Sequence, residues 1–187
     1  MRLFFAIWCL ASCLAFQAQP VRADLAVGQS FPNLTFSGTL SAADRAYLGL
    51  TRPGPFTLKD IETQYLLIEI FSDSCPHCIL AAPDVNRLFH FIEQDPQLRD
   101  GDGRAVLKML GVGFYGKPAA MEVWRIKYDV SFPLLPDPNA EVGQALDIPG
   151  TPTYVVLDRA GRVVFVHAGE FGNPKKFLRK ILSRLDF

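Results

Sequence analysis

The chain has 187 residues, 49% hydrophobic and 20% charged, which excludes a fibrous or disordered protein and suits one domain with its own core. Lysine plus arginine and aspartate plus glutamate number 19 each, and no basic run occurs, so the electrostatic footprint of a nucleic-acid binder is missing.

In chain order, "MRLFFAIWCLASCLAFQAQPVRA" (1–23) has Arg2, an apolar run from Leu3 to Phe16, a polar breaker at 17–20 and the small residue Ala23. This reads as a secretory signal peptide cut after Ala23, since the apolar run is short for a bilayer. An uncleaved anchor competes with that reading. A lipobox at "LASC" (10–13), with a lipid on Cys13, ranks lower because "LAF" continues the run. The mature chain, 24–187, then keeps only Cys75 and Cys78, in a compartment where disulfides persist.

From 24 to 55, glycine, proline and serine predict an extended or hairpin entry segment. "YLLIEIF" (65–71) is a strand buried on both faces. Val85, Leu88, Phe89 and Ile92 repeat at helical spacing and predict a helix to about Glu93. After a polar loop at 95–104 come a strand in "AVLKMLGVG", a helix in "KPAAMEVWRIKYDV" with proline in its first turn, a short strand in "FPLLPDP" and a short helix opened by Asn139. "TYVVLD" and "VVFVHA" flank "RAGR", with Gly161 as the left-handed turn residue. Phe177, Leu178, Ile181, Leu182 and Leu185 close the chain as an amphipathic helix. The order β-α-β-α-β-α-β-β-α predicts an α/β fold, a central mixed sheet with helices on both faces, parallel early and antiparallel late.

The two thiols of "FSDSCPHCIL" (71–80) sit where a strand passes into a helix. A disulfide that closes two intervening residues removes almost no chain entropy, so this pair suits chemistry better than stapling. At a helix start, unsatisfied N–H groups and the positive dipole end favour the thiolate of Cys75. Cys78, one turn on, is placed to resolve a mixed disulfide. Pro76 fits the first helical position. His77 adds positive charge beside the Cys75 sulfur and so favours the reduced, ionised form; the plain alternative is an exposed helix-start residue. Zinc would need paired ligand motifs, and His77, His90 and His167 are scattered. A thiol pair with a histidine keeps copper(I) handling open.

These residues carry a resemblance. From about Val27 to Leu185 the chain resembles the thioredoxin-like superfamily and, within it, exported TlpA/ResA-type thiol–disulfide oxidoreductases. The matching features are "LLIEIFSDSCPHC", Pro83 eight residues after Cys75, the inserted unit "GVGFYGKPAAMEVWRIKYDVSFPLLPDP", and "IPGTPTYVVLD" followed by "AGRVVFVHAGEF". The resemblance implies a thioredoxin-like fold with Cys75 and Cys78 as the redox pair. It also implies a cis proline at Pro152 against that pair, and backbone at Thr151 that binds an extended substrate segment. Glu69 matches the buried acid that relays protons to the resolving thiol; its alternative is an edge-strand glutamate that reaches water. Ser74 stands where TlpA-type members commonly have tryptophan, and the Pro-His dipeptide resembles DsbA-type oxidases. The frame implies a reductase and the dipeptide an oxidant, so the direction of electron flow stays open.

The expected function is disulfide exchange with protein thiols, with a membrane-bound redox partner, in the bacterial periplasm or at the outer face of the membrane. No cofactor, no metal and a monomer are expected. A peroxiredoxin, suggested by "FPLLPDP", competes poorly because Ser72 has no upstream proline; a copper chaperone or a redox-inert adaptor on the same frame is the non-enzymatic alternative.

Overall fold

The computed structural model describes residues 26–37 and 40–186; the signal peptide expected at 1–23 lies outside them. The chain forms β1 (Thr35–Phe36), α1 (Ala42–Leu48), β2 (Phe56–Thr57), β3 (Tyr65–Phe71), α2 (Pro76–Gln94), β4 (Leu107–Phe114), α3 (Pro118–Tyr128) and β5 (Leu134–Asp137). It continues with α4 (Glu141–Ala145), β6 (Thr153–Asp158), β7 (Val163–Ala168) and α5 (Pro174–Leu182). Short 3-10 turns occupy Leu58–Asp60 and Pro96–Leu98.

The main sheet has the order β5-β4-β3-β6-β7. β3, β4 and β5 are parallel, and β6 and β7 run antiparallel. β3 lies in the middle, and its alternating residues feed two cores. Tyr65, Leu67 and Phe71 pack with α2, α3 and α5, whereas Leu66, Ile68 and Ile70 pack with Leu48 of α1, Val142 of α4 and the β1–β2 hairpin. This is the α/β, thioredoxin-like arrangement with helices on both faces. The inserted unit is the β4–α3–β5 crossover, and the turn before β7 uses Gly161 at φ 78°.

Two local expectations change. The entry segment is a hairpin only at its ends, because α1 lies inside it: Ser41 accepts from the Asp44 N–H, and Gly49 closes the helix in the left-handed region. The composition of the segment hid these caps. At α4, Asn139 is not the cap. The Asp137 carboxylate, at the end of β5, accepts from the N–H groups of Glu141 and Val142 at 2.8 and 3.1 Å, and the Asn139 amide turns to Glu141 instead.

The register delivers the site. Ile70 on β3 pairs with Thr153 on β6, so the strand that leads into the thiol turn ends beside the residues that precede β6. No helix among the described residues is long and apolar enough to cross a membrane.

Candidate active site

Cys75 is the N-cap of α2 and Pro76 opens its first turn, so proline occupies a position whose N–H would lack a helical partner anyway. The next two N–H groups, of His77 and Cys78, turn toward the sulfur. Burial works against ionisation of Cys75. A side-chain hydrogen bond with Thr151, the Cys78 N–H, the Cys78 side chain and the His77 N–H outweigh it, and the thiol is held below its ordinary value. The Cys75 thiol also donates to the Thr151 carbonyl at 3.2 Å, and the Thr151–Pro152 bond is cis. The backbone that the resemblance assigns to substrate therefore lies against the half-buried sulfur.

Cys78 has the opposite surroundings. It is fully buried, and that burial pushes its thiol up to about 12. Its sulfur accepts from the Ser72 N–H at 3.5 Å. Both cysteines are free thiols.

Glu69 is 3% exposed and stands on the central strand, so the edge-strand reading does not hold. Burial alone pushes its carboxyl up to about 8. Its antiparallel partner is Tyr154, fully buried, with a phenolic oxygen that makes no hydrogen bond. Burial raises the Tyr154 pKa, and Glu69 and then Cys78 add to the rise, which places this phenol within electrostatic reach of both. No direct hydrogen bond joins Glu69 to Cys78 among the described residues.

His77 reaches across the site: its Nδ1 lies 2.7 Å from Oε1 of Glu170, and the hydrogen bond and charge of that carboxylate raise the imidazole pKa. Glu170 and Tyr154 were not singled out from the sequence. Glu170 is 93 positions from His77 with no periodic relation to it, and Tyr154 reads as one more apolar strand residue. His90 lies elsewhere, against Phe89, and His167 packs against Tyr154 and Phe177. Among the described residues, no three histidine, cysteine, aspartate or glutamate side chains group as metal ligands.

A family model described as Redoxin matches residues 26–182. The chain belongs to the Redoxin family. NHL repeat-containing protein 2 of Gallus gallus is 25% identical to this Redoxin chain over 143 residues, 75% of the chain but 19% of the relative. The Homo sapiens protein of that name is 25% identical over 122 residues, 64% of the chain and 16% of the relative. The chain thus spans less than a fifth of the length of these relatives.

Among solved structures, the Redoxin chain is similar to one described as a thiol:disulfide interchange protein DsbE from Chlorobium tepidum (TM-score 0.64, 18% identity, 87% of this chain and 100% of that one). It is also similar to a secreted Mycobacterium tuberculosis disulfide oxidoreductase homologous to E. coli DsbE (0.58, 14%, 81% and 96%) and to StoA from Bacillus subtilis (0.57, 13%, 80% and 97%). These likenesses show a shared fold.

Proposed function

We propose that the protein is an exported thiol–disulfide oxidoreductase that exchanges disulfides with protein thiols. The observation that carries this reading is the contrast within one helical turn: an accessible, acidified Cys75 beside a buried, proton-retaining Cys78. The Cys75 thiolate attacks a substrate disulfide, one substrate sulfur leaves as a thiolate, and a mixed disulfide forms. Cys78 then gives up its proton and attacks the Cys75 sulfur. The second substrate thiolate leaves, so two electrons pass from the dithiol to the substrate. Run backwards, the same steps oxidise a substrate dithiol.

Glu69 is proposed to take the Cys78 proton, because a carboxyl raised to about 8 exchanges protons near neutral pH. Tyr154 lies within electrostatic reach of both groups. Thr151 and Pro152 are proposed to hold an extended substrate segment by its backbone. Export and a membrane-bound redox partner belong to the same reading. It agrees with the apolar run near the start of the sequence and with the similarity to a secreted mycobacterial disulfide oxidoreductase.

The test is turnover of insulin or of a scrambled substrate protein by the wild type and by Cys75→Ser. The variant is expected to lose activity, and full activity in it would end the proposal. The equilibrium potential then gives the direction: strongly negative for a reductase, near that of a strong oxidant for an oxidase.

A further inference from the structure

The β7–α5 connection, residues 169–173, is fastened at several points to the redox site. Its Gly169 N–H donates to the Pro152 carbonyl at 2.8 Å. Phe171 stacks on Phe177 with centroids 4.2 Å apart and meets Tyr154 edge-on at 5.1 Å. A His167 ring nitrogen contacts the Glu170 carbonyl oxygen at 3.2 Å, and Asn173 caps α5. Gly169 and Gly172 take positive φ, 87° and 68°, so the chain turns sharply on either side of Glu170. These fastenings present one carboxylate to Nδ1 of His77.

We propose that Glu170 is a positioning residue for the redox turn: by gripping Nδ1 of His77 it fixes the charge and aim of the imidazole, and through it the stability of the Cys75 thiolate and the oxidising strength of the pair. The proposal rests on the thiol–disulfide reading above. Among the described residues, Glu170, from the β7–α5 loop, and the Cys75 sulfur, from the same turn, are the charged groups that act on this imidazole, and both favour its protonated form. With Glu170 in place, His77 stays cationic to higher pH than a free imidazole, with the Cys75 sulfur within its electrostatic reach. Without it, the ring loses its proton within the neutral range.

The experiment is an NMR titration of His77 and an ultraviolet titration of the Cys75 thiolate, in the reduced wild type and in Glu170→Gln. Glutathione equilibria are measured below, between and above the imidazole transitions of the two proteins. In Glu170→Gln the imidazole is expected to titrate lower, by the modest amount that befits an exposed pair. Between the variant's transition and that of the wild type, the thiolate fraction and the tendency to oxidise glutathione are expected to fall, by at most about threefold, and below and above both transitions the difference closes. In a His77→Gln background, Glu170→Gln is expected to add nothing. An unmoved imidazole, an unmoved thiolate, or an equal effect in the His77→Gln background would each overturn the proposal. Absence of disulfide exchange in the wild type would instead sink the parent reading, while the two titrations would still decide the role of Glu170.

Discussion

Cys75 and Cys78 are the same residue type in one turn of one helix, yet they occupy two regions of opposite character. The first is a rim of N–H donors, a carbonyl and a histidine, open enough to meet a substrate. The second lies under that rim, against the apolar face of the sheet, where a charge finds little solvation. Placement in the fold therefore sets two identical side chains apart, one held below its ordinary pKa and the other pushed above it.

The largest expected effect comes from removing the lower member. Cys78→Ser should lower multiple turnover more than about 10³-fold, on the scale seen when one member of a catalytic unit is deleted. It should also accumulate a mixed disulfide through Cys75, visible by non-reducing electrophoresis; rapid turnover without a trapped adduct would erase the distinction. Next, alkylation of the reduced protein at neutral pH should label Cys75 at least about 100-fold faster than Cys78, since the rate follows the thiolate fraction and access. Peptide mass mapping reads the ratio, and equal labelling would break the contrast.

Glu69→Gln sharpens the lower region. In the folded chain the Glu69 carboxyl keeps its proton up to about 8, while in the unfolded chain it ionises at an ordinary value. Its stabilising contribution is therefore fully present at acid pH and is lost as pH rises through that window, by up to about 1.4 kcal/mol per pH unit. The variant should show a flatter stability profile in urea melts across this range. Its resolving step should also lose the inflection near 8, and an unchanged pH profile would end the relay.

The sheet was legible because β3, β6 and β7 announce themselves as dense apolar runs between turn residues, and the thiol joint was legible because a helical repeat follows it. Thr151 beside Cys75 came only with the resemblance, since 76 positions separate them and no local pattern joins them. Glu170 was hidden for the same reason, as a solvated glutamate on an unremarked loop. α1 was missed because the residues around it outweighed its caps. Asn139 was chosen over Asp137 because a cap is sought next to its helix, whereas this carboxylate reaches forward from the strand before. That misreading supplies the smallest contrast: Asp137→Ala should cost about 1 kcal/mol and Asn139→Ala only a few tenths, by thermal melts.

One further contact bears on how the molecule keeps to itself. β5 pairs with β4 only from Gly111 onward, so among the described residues no strand pairs with the earlier part of β4 on that side. There the Tyr47 hydroxyl accepts from the Met109 N–H at 2.8 Å. A phenol from α1 thus plugs a stretch of backbone that would otherwise offer itself as a template for another chain, and guards against edge-to-edge aggregation.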